Sequence, residues 1–177
     1  LEILLAKASQ AMGIYPGRLS CFYKEEIMFL REAIVRYKKS PVFVESKRFS
    51  NSREVFHAFR EDIMSIPVEV FRVLFLNSKN FYLGFEDVSK GSLSTSICHP
   101  REVFWTAVHK RAAAIIVIHG HPSGDPAPSR EDRDATQRIF KAGQILGIKV
   151  LDSIVIGDTD YFSFADSGIL GELCQTN

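Results

Sequence analysis

The chain has 177 residues, 46% of them hydrophobic and 24% charged, with a formal net charge of +1 at pH 7. This suits one soluble globular domain with a modest extension. A charge so close to zero gives no whole-chain electrostatic argument for nucleic acid or a membrane as partner. Cys21, Cys98 and Cys174 are scattered and unpaired in spacing, which argues against a disulfide framework or a thiolate metal site and for a reducing compartment. No apolar run is long enough to span a bilayer, and no signal-peptide pattern opens the chain. A cytoplasmic location is therefore the expectation. The chain starts at Leu1 instead of Met, so it is expected to be a piece of a longer protein.

In chain order, residues 1–40 read as helical. Gly13 and Pro16-Gly17 break a first apolar stretch, and Ile27, Leu30, Ile34 and Tyr37 follow at helical spacing. The first fifty residues carry nine Lys or Arg against five Glu, a mild basic bias that a solvated helix face explains as well as a partner does. Val42 to Val44 reads as a short strand or an extended linker. A helix is expected from about Asn51, with Glu54 three positions on as in a capping box, Val55, Phe56, Phe59 and Ile63 as its buried stripe, and Pro67 as its stop.

The pattern then changes. Val70 to Leu76 reads as a strand, Asn77 to Asn80 as a turn, and Phe81 to Phe85 as the antiparallel partner. A second turn at Lys90-Gly91-Ser92 leads to a third strand ending near Cys98. Pro100 fits the first turn of a helix reaching about Lys110. The apolar run Ala112 to Ile118 is a buried strand, Ser129 to Leu146 a long helix stopped by Gly147, and Ile148 to Ile156 another strand. A short Phe/Tyr-rich element ends the chain. Alternating strands and helices imply an α/β (α+β) class, with a mixed β-sheet flanked by helices.

The segment His119-Gly120-His121-Pro122-Ser123-Gly124-Asp125-Pro126-Ala127-Pro128-Ser129-Arg130-Glu131-Asp132 follows the buried run. It puts two imidazoles and a carboxylate just past a strand end, where open α/β sheets gather ligands. His119 and His121 alternate along extended backbone, so both can face one side. The helix from Ser129 can carry Asp132 back toward them. Three such ligands with a fourth position for water are what a catalytic zinc needs, at ~2.0–2.2 Å from the ion. The bland readings compete. A His after a core strand is usually a polar loop residue, and Ser129 with Asp132 also reads as a helix cap with an acidic first turn.

Taken whole, His-x-His-Pro followed by Ser and an Asp three residues later resembles the JAMM (MPN-type) zinc hydrolase motif. The longer form, His-x-His-Pro-Ser-Gly-x-x-x-Pro-Ser-x-x-Asp, resembles the RadC family within it. Glu69 to Leu76, His99-Pro100-Arg101-Glu102-Val103-Phe104, and Leu151-Asp152 leading into Ile154-Val155-Ile156-Gly157 are similar to that family's first strand, helix start and late strand. The resemblance runs in register over about residues 43 to 170, well beyond a short motif. It implies a JAMM/MPN-like (cytidine-deaminase-like) fold over residues 43–177 behind a helical extension, residues 1–42. It also implies one zinc ion per chain on His119, His121 and Asp132, and a water whose pKa falls toward ~7. Glu69 would be the catalytic acid/base and Ser129 the oxyanion donor. The residues alone do not choose Glu69 over Glu54, Glu61, Glu86 or Glu102.

Three positions depart from the family pattern. Gly120 stands where Asn is usual, which is expected to loosen the loop without removing a ligand. Ser153 stands where His is common, so any role of that His lacks its side chain here. The N-terminal region has no clear helix-hairpin-helix DNA-binding pattern. The leading expectation is a zinc hydrolase of amide bonds acting on an unidentified peptide or protein, with no membrane partner and an open oligomeric state. The alternative is a DNA-associated protein, a nuclease or a non-catalytic repair or binding module. Phosphodiester nucleases more often use paired metals. A zinc deaminase would need His-x-Glu and Pro-Cys-x-x-Cys ligands, and neither occurs. A metal-free interaction module is disfavoured because every ligand is present.

Overall fold

The computed structural model describes residues 47–91 and 99–173. The helices expected before residue 41, the segment Val42 to Val44, the extension boundary at 42/43 and the third strand ending near Cys98 lie outside the described residues. Within them the order is α1 (Ser52–Met64), β1 (Val70–Leu76), β2 (Tyr82–Lys90), α2 (Pro100–His109), β3 (Ala114–Gly120), α3 (Arg130–Leu146), β4 (Lys149–Ile156), β5 (Tyr161–Ser163) and α4 (Ile169–Leu173).

Local chemistry sets the ends of these elements. Asn51 caps α1, its side-chain oxygen accepting from the Glu54 backbone N–H at 2.9 Å. The Glu54 carboxylate returns to the Ser50 N–H at 2.9 Å, so the acid spans one residue further back than in the usual box. The helix ends at Met64, ahead of Pro67. Pro100 occupies the first turn of α2 behind a His99 cap. Gly147 closes α3 in the left-handed conformation, φ 69°, as a helix-terminating glycine should.

The five strands form one mixed sheet in the order β2-β1-β3-β4-β5. β1 runs antiparallel to both β2 and β3, β3 runs parallel to β4, and β4 runs antiparallel to β5. β2 continues to Lys90, five residues past the expected Phe85. β1 and β3 are buried along their whole length, because helices cover both faces of the sheet. That explains their unbroken apolar runs.

Alternation along the strands sorts the core into two layers. Val70, Leu74 and Leu76 of β1 and Ile116 and Ile118 of β3 pack with Val55, Phe56, Phe59 and Ile63 of α1. Phe71, Val73 and Phe75 of β1 and Ile115 and Val117 of β3 face Val103, Phe104 and Ala107 of α2 and Ile139 of α3. The same alternation continues to the end of β3. His119 follows the odd-numbered side chains toward α3, and Gly120 follows the even-numbered ones toward α1.

Two expectations need correcting. The strand does not stop at Ile118: it runs through His119 and Gly120, whose partners on β1 are Phe71 and Val70. Gly120 does not loosen a loop either. It lies in the strand, and a Cβ there would stand 2.5 Å from Ile63 Cγ2 and 3.0 Å from Val70 Cγ1.

Candidate metal centre

Three elements bring the site together. β3 carries His119 rigidly, since parallel pairing to β4 and antiparallel pairing to β1 hold it on both sides. His121 is one residue beyond β3, and its backbone N–H donates to Ile156 O at 3.0 Å. Asp132 sits in the first turn of α3, placed there by the Ser129 cap. Its N–H donates to Ser129 Oγ at 3.1 Å, and its Oδ2 accepts from the Ser129 N–H at 2.8 Å and from the Ser129 hydroxyl at 2.6 Å. The cap and the ligand arrangement are thus one structure: the reciprocal bonds that start the helix also aim the carboxylate.

His119 Nδ1 is 2.6 Å from Asp132 Oδ1, and His121 Nε2 is 3.5 Å from Asp132 Oδ2. The two imidazoles stand edge-on, centroids 4.5 Å apart. One donor atom from each of His119, His121 and Asp132 falls within 4.8 Å of the others. Ligands ~2.0–2.1 Å from a tetrahedral zinc stand roughly 3.3 Å apart, within that span. His119 is 3% exposed, yet neither of its nitrogens has a hydrogen-bond partner. The close approach to Asp132 therefore lacks hydrogen-bond alignment, as expected for two groups that point at a common third centre. A buried polar group left this way costs about 1–3 kcal/mol, and a cation among the three would remove that cost.

Electrostatics agree in sign. Burial alone would push the Asp132 carboxyl up, but its contacts with His119, His121 and Ser129 outweigh burial and hold it well below the ordinary carboxylate range. The contact with Asp132 pushes His121 up against the opposing effect of burial, helped by the Asp125 carbonyl and the charge of Glu69. His121 Nδ1 lies 2.7 Å from Asp125 O. A carbonyl can only accept, so Nδ1 carries a proton and donates it, which leaves Nε2 as the ring nitrogen turned toward Asp132.

These groups line a cleft of about 690 Å³ with Glu69, Ser123, Asp125, Ser129 and Glu131. The placement of Glu69 comes from strand register. Val70 pairs with Gly120 in the antiparallel β1–β3 ladder, so one more step sets Glu69 across from His121. The other acids that the sequence left open lie elsewhere: Glu54 and Glu61 on α1, Glu86 opposite Val73 on β2, and Glu102 on α2. All five expected site residues therefore meet at one cleft. Ser153 is buried at the site of the departed His and bonds Thr136 Oγ1 of α3 at 2.9 Å. Sequence reasoning missed the Asp125 carbonyl behind His121, and also Gly157. A lone Gly after an apolar strand was the only local sign of Gly157.

The profile of the RadC-like JAB domain matches residues 49–169. A UPF0758 protein of Trichlorobacter lovleyi is 54% identical over 124 residues, 70% of this chain and 54% of that protein. One from Syntrophotalea carbinolica is 43% identical over 158 residues, 89% of this chain and 67% of its own length. One from Clostridium botulinum Eklund 17B is 38% identical over 170 residues, 96% of this chain and 72% of its own length. The chain spans about half the length of the first of these relatives. The chain belongs to the RadC family, and its described fold is that family's JAMM/MPN-type domain.

Proposed function

We propose that this member of the RadC family is a zinc-dependent hydrolase of amide bonds, a metallopeptidase or isopeptidase acting on a peptide or protein in the cytoplasm. The observation that carries this reading is His119, buried and without a hydrogen-bond partner on either nitrogen, beside His121 and Asp132 in a cleft that also holds Glu69. His119, His121 and Asp132 are the residues to hold the ion. A zinc ion bound there supplies an acidified water and a polarised amide carbonyl.

The chain's own residues do the rest. Glu69 accepts a proton from the attacking water and delivers it to the leaving amine nitrogen as the C–N bond breaks. Its side chain is only half-buried, which suits a group that must meet water. The Ser129 hydroxyl, now bonded to Asp132, turns toward the cleft to donate to the developing oxyanion. The lining carboxylates Glu69, Asp125, Glu131 and Asp132 count against a polyanionic nucleic-acid strand as the substrate of this cleft.

Metal analysis of purified protein tests the reading first: one zinc per chain is expected, and none bound at neutral pH would sink it. Glu69→Gln is expected to keep the zinc and lose hydrolysis of amide substrates. Loss of zinc in that variant would overturn the acid/base role.

A further inference from the structure

Loop 121–127, between β3 and α3, is seated on the turn that follows β4. The His121 N–H donates to Ile156 O at 3.0 Å, the Gly124 N–H to His121 O at 2.9 Å, and the Asp158 N–H to Gly124 O at 3.0 Å. The Gly157 N–H donates to Asp160 O at 3.0 Å and closes the turn itself. Arg60 of α1 donates from Nε to the Asp158 carbonyl, so the seat is tied to the helix on the far side of the sheet.

The fit leaves no room for a side chain. A Cβ on Gly157 would lie 2.3 Å from Gly124 O, 2.9 Å from Pro126 Cδ and 3.0 Å from Gly124 C. Two of those three atoms are backbone and cannot rotate aside. Gly124 is itself left-handed, φ +80°, and a Cβ there would meet the Asp158 side chain at 3.1–3.2 Å. Beyond Gly124, the Asp125 side chain accepts from the Ala127 N–H at 2.9 Å and its carbonyl accepts from His121 Nδ1 at 2.7 Å. The loop seated by Gly157 is therefore the loop that selects the tautomer and ring plane of His121.

We infer that Gly157, Asp158 and Arg60 are positioning residues for the metal centre, acting on His121 through the seated loop and the Asp125 carbonyl. Partners behind a metal-binding His fix its tautomer and orientation, and their loss typically lowers metal affinity about 10- to 100-fold. Here that partner is a carbonyl on a loop, so its position is only as firm as the seat. The inference rests on reading His119, His121 and Asp132 as a metal site.

The test compares the whole chain with its Gly157→Ala and Arg60→Ala variants. Imidazole proton–nitrogen correlation spectra of the metal-free proteins, recorded at alkaline pH where the His121 ring is neutral, report its tautomer. Competition with a chromophoric chelator reports zinc affinity. The wild type is expected to show His121 protonated on Nδ1. Gly157→Ala is expected to show mixed tautomers and a zinc Kd raised about tenfold or more, and Arg60→Ala a smaller change in the same direction. Val150→Ala, a core truncation outside the seat, is expected to lower the melting temperature without moving either readout. A folded Gly157→Ala variant with the wild-type tautomer and zinc Kd overturns the inference. If that variant does not fold, the same result in Arg60→Ala overturns it. A wild type that binds no zinc defeats the metal reading instead, and the tautomer spectra still decide the seat.

Discussion

Ile63 of α1 fills the space beside Gly120, the residue between the two site histidines: its Cγ2 lies 2.5 Å from where a Gly120 Cβ would be. A core helix on one face of the sheet thus packs against the strand that presents His119 on the other.

Gly120→Ala should therefore destabilise the protein. Relief of glycine's backbone entropy favours alanine by roughly 0.5–1 kcal/mol, but overpacking a tight core costs about 1–3 kcal/mol, and the β-branched Ile63 has little room to yield. The net loss expected from urea denaturation is about 1–2 kcal/mol. Ile63→Ala, which costs about 2–5 kcal/mol alone, should absorb the added methyl. The double variant should be more stable than the sum of the two losses predicts, by at least ~0.5 kcal/mol. Simple additivity would mean that the two residues do not press on each other.

Ser129 has separable duties. As the α3 cap it should contribute about 1 kcal/mol, read as the loss of stability in Ser129→Ala. As an oxyanion donor it should also lower kcat by about 10²–10³, with kcat/KM falling in parallel. A variant that loses stability but keeps kcat has lost only its cap.

The Arg72 guanidinium is 2% exposed and lies 4.0 Å from the Phe85 ring centre. It bonds Asp87 through two nitrogens, at 2.5 and 3.1 Å, and also pairs with Asp62. The Asp87 side chain is 12% exposed and that of Asp62 59%. Solvent screening therefore decides their ranking. Asp87→Ala should cost about 3–5 kcal/mol, because it strands a buried charge. Asp62→Ala should cost no more than about 1 kcal/mol. Equal losses in chemical denaturation would show that exposure does not set the difference.

Asp152, on β4, accepts from Ser163 Oγ at 2.6 Å and from the backbone N–H groups of Ser153 and Ala165 at 2.7 and 2.9 Å. Burial nonetheless pushes its carboxyl from 3.8 up to about 6. A folded-state value above the unfolded one means that the protonated form is favoured by folding. Its contribution is full below 3.8 and is lost as the pH rises through about 6. Between about pH 4 and pH 7 the wild type should lose roughly 2–3 kcal/mol relative to Asp152→Asn. A wild-type-minus-variant difference that stays flat across that range would show that Asp152 ionises without cost.

Much was legible from local pattern. Val70–Leu76 announced a strand because both of its faces are covered, and Ser129 and Gly147 announced the two ends of α3 because caps are local hydrogen-bond chemistry. The His-x-His pair and the Asp on a nearby helix turn were readable as a ligand set for the same reason: strand alternation and one loop bring them together. What lay outside local reach depended on residues far apart in sequence. Glu69 was set apart from four other acids by family resemblance and not by any local pattern; the Val70–Gly120 register shows why it reaches the cleft with His121. Gly120 looked like slack in a loop because its neighbour Ile63 is 57 positions away on another element. The need for Gly at 157 was not readable locally because the Gly124 carbonyl it admits belongs to a loop 33 positions upstream. Hydrophobic periodicity and capping are encoded within a few residues, so the sequence by itself determined the elements and pointed to the candidate ligand set. Steric fit and cross-strand register are properties of two distant segments at once, and only the tertiary structure decided which glycines are obligatory and which carboxylate faces the site.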